Sequence, residues 1–513
     1  MWAIHGRIVA MSNDPSVEVP ASGVFTGRVW IADDGTIAAV TPGISRGPAG
    51  FEDAAIVDVG TNLVVPGLID LHNHLAYNTL PLWTEPSQTT PFLHHDSWPR
   101  AHTYAASTTW PAYGLITACP HELLAYVETK AIVGGTTSVQ GSPPRNKPPD
   151  GMLVRNVEDE TFGTHDPNLV YASVLTETPT ALSGSATKMR NGSAFVYHCA
   201  EGQRGSLVAR EFADARAAGC LQPTFIAVHT NAVDPAAYTQ WTAQGAIAWS
   251  PFSNLWLYGQ HQTTDVGAAR AQGITVCLGS DWAPSGTKNI QGELKSARLV
   301  SDVEGFGLSD RDLVEMVTSG PGDVLARAYG RQLGRIQKGA LADLVVMRAS
   351  RSTEPFHRIV TSREDDVDLV VVGGVPRYGT PELMASAPTP TTLTVGSRPM
   401  VLSLGQPDDP TKAWAWDDVV DRMEEVRADP STAIEDAQGR YADARDHPDR
   451  EQPLRLALDM PTGLAPVGGL PHDLTQVAIP PLESLTHDGA WLASVVGRGF
   501  HGGVLDDLER YYR

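Results

Sequence analysis

The segment that decides the fold runs from residue 64 to residue 74 and reads VVPGLIDLHNH. Its apolar run is typical of a buried strand, and the strand ends in the pair His72 and His74. Side chains two residues apart on a strand point to the same side, so both histidines can reach one metal ion. An H-x-H pair alone is weak, because buried histidines more often only satisfy hydrogen bonds. Its place at the end of a strand favours a metal site.

Three later apolar runs end in the same way. They lead to His198 with Glu201 three residues on, to His229, and to Asp281. Scattered polar core residues would not fall at successive strand ends, whereas a metal site at the carboxyl edge of a parallel sheet requires this placement. The sequence therefore predicts that these side chains converge with the H-x-H pair.

The spacing of the runs predicts a (β/α)8 barrel, an α/β fold, over residues 65–333, because strand-length apolar segments alternate with helix-length stretches. Residues 1–64 and 334–400 alternate apolar and polar residues, which predicts the two parts of a composite β-sandwich domain. Within the second part, the Pro-, Thr- and Ala-rich stretch 385–394 is typical of a linker.

Residues 401–513 differ from the rest and are predicted to form an additional C-terminal element. They carry acidic helical stretches, several aromatic residues and the apolar run Leu454–Met460. A segment with this apolar content can offset its ordering entropy. We expect it to pack on the barrel or on a second subunit, and a homo-oligomer is left open.

Composition excludes several classes of protein. The chain has 513 residues, 42% of them hydrophobic and 19% charged, as in ordinary globular proteins of more than one unit. A net charge of -21 disfavours nucleic acid and anionic membranes as partners. The four cysteines form no C-x-x-C pair, and no apolar run reaches membrane length. The first residues alternate like a strand, so we expect no signal peptide. The sequence predicts a cytoplasmic protein.

The order H-x-H, H-x-x-E, His, Asp resembles the amidohydrolase superfamily, over most of residues 1–379. Further family-like segments are the VVPGLID lead-in at 64–70, GGTTS at 134–138 and GALADLVV at 339–346. The segment from His198 to Glu201 is similar to the branch that holds adenosine, cytosine and guanine deaminases and triazine hydrolases.

The resemblance implies a mononuclear metal-dependent hydrolase that cleaves a non-peptide C–N bond of a small molecule, for example by deaminating an amino-heterocycle. It implies a single divalent ion, zinc before iron(II), with four ligands: His72, His74, His198 and Asp281. It also implies that His229 hydrogen-bonds the reactive water, that Glu201 donates a proton, and that Asp281 takes part in catalysis. A bound metal lowers the pKa of its water toward ~7, and the leaving nitrogen then needs a proton.

Several alternatives stay open. Glu177, after the run Leu169–Leu175, could serve a second metal. The same chemistry would also hydrolyse a cyclic amide, a lactam or a carbamoyl group. A non-catalytic scaffold is the remaining class, although all the candidate ligands are present.

Two residues are predicted to bind the substrate. Trp83 lies in a long aromatic loop after the H-x-H strand, where it could stack on a planar substrate or pack against a neighbouring loop or subunit. Asn254 follows the strand-like run Ala246–Ser250, where it could contact substrate or cap the next helix.

Overall fold

The computed structural model describes residues 1–15, 20, 22–141, 153–158, 169–444, 477–487 and 489–512. The apolar run Leu454–Met460 lies outside these described residues. In the described part of the chain, no helix combines the length and apolar character needed to cross a membrane.

Both parts of the predicted composite domain enter one nine-stranded sheet. The N-terminal part contributes β1 (Trp2–Val9), β2 (Val24–Ile31), β3 (Ile37–Pro42) and β4 (Ala55–Pro66). The later part contributes β13 (Leu344–Met347), β14 (Val367–Val372), β15 (Val375–Gly379), β16 (Pro390–Val395) and β17 (Arg398–Ser403). The two parts join where β4 pairs antiparallel with β13, with Val65 opposite Val345. The linker expected at 385–394 is wrong, because β16 begins inside it.

Eight parallel strands lie between these two parts, in two sheets. The first sheet has β5 (Leu68–Asp70), β6 (Thr136–Val139) and β7 (Arg155–Asn156). The second has β8 (Val170–Ser173), β9 (Ala194–Cys199), β10 (Phe225–His229), β11 (Ala246–Trp249) and β12 (Thr275–Leu278). Strands β9, β10 and β11 are buried along their whole length, as expected for parallel strands covered on both faces. This is a barrel-like α/β arrangement, and its strands match the apolar runs seen in the sequence.

The two parallel sheets meet where β5 runs beside β12. Leu71 N donates to Leu278 O at 3.3 Å, and Asp281 N donates to His72 O at 2.9 Å. A parallel bridge also joins Asn73 to Asp281. The strand that carries the H-x-H pair thus lies next to the strand that precedes Asp281.

The helices that follow the parallel strands surround them. They are α1 (Trp110–Ala118), α2 (Pro120–Val133), α3 (Pro179–Arg190), α4 (Arg210–Ala217), α5 (Pro251–Tyr258), α6 (Val266–Ala271), α7 (Ile290–Glu304), α8 (Asp310–Glu315) and α9 (Ser319–Tyr329). A further helix, α10 (Pro355–Thr361), lies between β13 and β14.

The C-terminal element contributes α11 (Trp416–Ala428), α12 (Pro430–Ala444), α13 (Gly489–Val495) and α14 (Glu509–Tyr512). It packs on the barrel of its own chain, since α11 contacts α2 and α12 contacts α1. Trp416 stacks on Tyr126 of α2, with ring centroids 5.8 Å apart. The Lys288 ammonium lies 2.8 Å from the Glu483 carboxylate and so ties the element to the loop that follows β12.

Candidate active site

The carboxyl ends of four parallel strands bring six side chains into one buried group, called here the histidine cluster: His72, His74, His198, Glu201, His229 and Asp281. Asp281 Oδ1 lies 3.3 Å from His72 Nε2 and 3.6 Å from His74 Nε2. One nitrogen from each of His72, His74 and His198 lies within 4.8 Å of the others. The strand-end residues picked out in the sequence therefore do meet in space.

A buried carboxylate and an amide fix the H-x-H loop. Asp70 accepts hydrogen bonds from Asn73 Nδ2 at 3.0 Å and from Ser280 N at 2.9 Å, and it also accepts from the Ser280 hydroxyl. It thereby joins the loop after β5 to the loop after β12. On the other side, His72 Nδ1 lies 3.3 Å from Gln140 Oε1, so the ring N–H donates there and Nε2 faces the cluster.

One carboxylate oxygen of Glu201 is fixed by a hydrogen bond, and the other faces two histidines of the cluster. Its Oε1 accepts a 2.5 Å hydrogen bond from the Tyr258 hydroxyl, which in turn accepts from Trp98 Nε1 at 3.0 Å. Burial and the charge of Glu201 raise the pKa of Tyr258 well above its ordinary value, so the phenol remains a donor. The second oxygen, Oε2, lies 3.7 Å from both His198 Nδ1 and His229 Nε2.

His229 is oriented from helix α5. The Asn254 side-chain amide donates to His229 Nδ1 at 3.1 Å, so the neutral ring carries its proton on Nε2. That nitrogen faces Glu201 and lies 4.0 Å from Asp281 Oδ2. Asn254 therefore does not cap α5; it lies inside the helix, and Ser250 precedes the first turn.

Four non-glycine residues in the cluster's loops have left-handed backbone angles: Ala200 at φ 58°, His229 at φ 65°, Thr230 at φ 57° and Asp281 at φ 60°. Such a conformation costs about 1 kcal/mol for an L-residue and is concentrated at functional sites. Its occurrence at three strand ends around one cluster indicates that the surrounding structure imposes these positions.

Most of the cluster's histidines are neutral. Burial lowers the pKa of His229 to about 3, and burial together with the charge of His72 lowers the pKa values of His74 and His198 well below their ordinary value. Burial alone would raise the pKa of Asp281, but His72 and His229 hold it well below its usual range. His72 is the exception, because Asp281 outweighs burial and raises its pKa.

This donor set fits a divalent cation of intermediate softness. Neutral imidazole nitrogens with one carboxylate form the kind of set that zinc and iron(II) take in proteins. The potential ligand atoms of His72, His229 and Asp281 also lie within 4.8 Å of one another. His72 belongs to both groups, and Asp281 Oδ1 also lies 3.6 Å from His74 Nε2, so the two groups adjoin each other.

Part of the chain matches a known protein family. Residues 247–377 match the model of the amidohydrolase family. The resemblance to the amidohydrolase superfamily is confirmed. No curated protein sequence matches the chain significantly.

Solved amidohydrolase structures share the fold. Zinc-bound atrazine chlorohydrolase from Arthrobacter aurescens TC1 is 18% identical, with a TM-score of 0.53 over 73% of this chain and 95% of that one. A zinc-bound adenosine deaminase from Xanthomonas campestris is 16% identical, with a TM-score of 0.56 over 84% and 98%. E. coli guanine deaminase is 16% identical, with a TM-score of 0.53 over 73% and 98%. At these identities the likeness concerns the fold.

Two predicted residues lie apart from the histidine cluster. In the part of the chain that the structure describes, Trp83 packs against Phe92 and Tyr104, and its ring N–H donates to Thr103 at 3.1 Å. No described contact joins Trp83 to the cluster. Glu177 accepts a 2.5 Å hydrogen bond from Ser173 and is not among the described groups that could hold a metal.

Sequence reasoning missed several functional neighbours. Gln140 directly follows β6, so the strand-end rule that found the histidines would have found it too. Tyr258 lies four residues after Asn254 on α5, and the i, i+4 spacing puts both on one helix face. Trp282 was not missed, because its place directly after Asp281 already suggests a pocket residue. Its ring centroid lies 6.0 Å from that of His74 and 5.1 Å from that of Tyr77, and the rings of Trp282 and Tyr77 form an aromatic wall.

Proposed function

We propose that the protein is a metal-dependent hydrolase that uses water to cleave a C–N bond of a small molecule. The observation that carries the proposal is the histidine cluster: four histidines and two carboxylates, all buried, at the carboxyl ends of parallel strands. This is the face on which barrel enzymes assemble their active sites. A scaffold that had lost its chemistry would not need so many ionisable groups packed together.

One divalent ion, zinc before iron(II), would be held by four side chains: His72, His74, His198 and Asp281. Such an ion supplies a Lewis acid that makes water a strong nucleophile near neutral pH. We propose a mononuclear site, because Glu177 is engaged by Ser173 instead of facing the cluster.

Three residues would handle protons. Asp281, kept ionised by its histidine neighbours, would accept a proton from the attacking water. His229 would hold that water through its Nε2–H. Glu201, fixed at Oε1 by Tyr258, would present Oε2 to protonate the nitrogen that leaves or lies beside the attacked carbon.

The neighbourhood favours a planar amino-heterocycle as substrate. The aromatic wall formed by Trp282 and Tyr77 borders His74, and aromatic faces stack on planar rings. Asn254 Oδ1 is buried without a hydrogen-bond partner among the described residues, which leaves it free to accept from a substrate N–H. Two of the structural neighbours are named as deaminases of adenosine and of guanine.

We also propose that the eight parallel strands close into a complete barrel. The β5–β12 seam is already joined by backbone hydrogen bonds, so closure needs only a contact between β7 and β8. The residues that connect those two strands lie largely outside the described part of the chain.

Metal analysis and a substrate screen test the function together. Purified protein should contain about one zinc or iron per chain, and it should release ammonia from at least one member of a panel of aminopurines, aminopyrimidines and aminotriazines. Lactams and cyclic amides are screened in parallel for hydrolytic ring opening. A chain that binds less than a tenth of an equivalent of metal, even after incubation with zinc, would contradict the proposal.

A further inference from the structure

Helix α5 presents one face to the histidine cluster. Asn254 donates to His229, and Tyr258, one turn later, donates to Glu201. Both side chains are fully buried. His229 and Glu201 of the proposed site are therefore both held by helix α5. Any shift of α5 moves Asn254 and Tyr258 together.

The opposite face of α5 rests on the C-terminal element. Phe252 packs against Trp491, with ring centroids 6.0 Å apart, and Trp256 stacks on His501 at the same distance with an interplanar angle of 17°. Just beyond the helix, Gln260 N donates to Phe500 O at 3.0 Å. Residues two positions apart on a helix lie on roughly opposite sides, so Phe252 and Trp256 face away from the cluster.

We propose that residues 491–501 of the C-terminal element fix the position of α5 and, through Asn254 and Tyr258, orient His229 and Glu201 for catalysis. Trp491 and His501 are then positioning residues. This inference rests on the proposed function and adds to it a part of the chain beyond the matched family segment, residues 247–377.

A small shift is enough for such an effect. Catalytic groups misplaced by about 1 Å can lose a factor of 10² in rate. The 2.5 Å Tyr258–Glu201 hydrogen bond and the 3.1 Å Asn254–His229 hydrogen bond depend on the depth and rotation of α5. The metal ligands, in contrast, are positioned by the strands, so metal binding should persist when the support of α5 is weakened.

The chain offers a matched control for a merely structural role. Trp416 is another buried tryptophan of the C-terminal element, but it stacks on Tyr126 of α2 and not on α5. Trp491→Leu and Trp416→Leu each remove a buried indole and should lower the melting temperature alike. Only Trp491→Leu should also disturb the catalytic groups.

Kinetics provide the first readout. With any substrate that wild-type protein turns over, Trp491→Leu should lower kcat about tenfold with KM within twofold and with full metal content. Trp416→Leu should keep wild-type kcat. In the Asn254→Ala/Tyr258→Phe background, Trp491→Leu should change kcat less than twofold, because the two hydrogen bonds that link α5 to His229 and Glu201 are already absent. Equal kcat losses in the two tryptophan variants, or an undiminished loss in that background, would overturn the inference.

The second readout needs neither metal nor turnover. In metal-free protein with ¹⁵N-labelled histidine, the ring signals of His229, assigned with His229→Gln, should show the Nε2–H tautomer in wild type and in Trp416→Leu. Trp491→Leu should show a mixture of tautomers. An unchanged His229 signal in Trp491→Leu would refute the inference. If wild-type protein turned over nothing, the proposed function would fail while this spectrum still decided the position of α5.

Discussion

The two sides of the histidine cluster are held in different ways. His72 and His74 lie directly after β5, where backbone hydrogen bonds to the neighbouring β12 region and the Asp70 carboxylate fix the loop. Glu201 and His229 instead depend on side chains of helix α5, which is itself supported from its far face. Under the proposed function, metal binding therefore depends mainly on the strands, whereas the two proton-transfer groups depend on contacts with helix α5.

The largest expected effect is the loss of metal binding when a proposed ligand is removed. His198→Ala removes a nitrogen from the three-histidine group, so bound metal should fall to a small fraction of an equivalent and turnover should be lost. Elemental analysis after gel filtration measures the metal. His357→Ala, which removes an exposed histidine far from the cluster, should retain full metal. Stoichiometric metal in His198→Ala would take this residue out of the ligand set.

The next largest effect is a loss of rate when the proposed proton donor is replaced. Glu201→Gln keeps the shape of the side chain but cannot release a proton, so the rate should fall by roughly 10²-fold or more. Metal content should remain that of the wild type, since Glu201 is not among the proposed ligands. Steady-state kinetics combined with metal analysis check this. Near-normal turnover would exclude Glu201 as the proton donor.

Asp70 and Tyr258, which support the two sides of the cluster, allow a direct comparison of metal affinity with kcat. Asp70→Asn puts an N–H where three donors need an acceptor, so metal affinity should fall roughly 10- to 100-fold, measured by competition with a chelator. Tyr258→Phe should leave metal affinity unchanged and lower kcat about tenfold. The same pattern in both variants would show that the two sides are not separable.

The smallest effect concerns pH. His95 Nε2 lies 3.3 Å from Glu211, which also accepts a 2.8 Å hydrogen bond from Ala200 N beside the cluster. Burial opposes the charge on His95, but Glu211 outweighs it and raises the pKa of His95 to about 9. Since the unfolded pKa is about 6.5, this pair stabilises the fold fully below that pH, and the contribution is lost as pH rises through 9.

Thermal unfolding between pH 7 and pH 10 measures this loss. The melting temperature should fall on the order of 2 °C more in the wild type than in His95→Gln, which lacks the titrating ring. Parallel curves for the two proteins would show that the His95–Glu211 pair adds nothing to stability.

Much of the site could be predicted because its residues follow a local rule. Apolar strands that end in His or Asp are visible in sequence, and parallel topology brings those ends together. The contact of Trp491 with Phe252 follows no such rule, because it joins segments far apart in the chain. Tyr258 follows a weaker one, since its i, i+4 spacing points to the site only once Asn254 is known to face it. Trp83 shows the converse, since an aromatic residue in an active-site loop satisfied the pattern but packs among Phe92 and Tyr104.

The fold was predicted less well at its margins. The Pro- and Thr-rich composition of residues 385–394 predicts a linker, but strand β16 begins within them. It lies at the edge of the nine-stranded sheet and begins at Pro390, a place where a missing N–H costs no ladder hydrogen bond. Composition alone does not separate an edge strand of this kind from a linker.

The seam between β5 and β12 also bears on how the two parallel sheets are held together. Asp70 and Ser280 meet there across 210 positions of sequence. A cation shared by His72, His74 and Asp281 would act as a cross-link over that interval. Such a cross-link removes conformational entropy from the unfolded chain, and the resulting stabilisation rises with the length of the loop. Chelation should therefore lower the melting temperature of the wild type by more than that of the His198→Ala variant, which would already lack the metal cross-link between the two sheets.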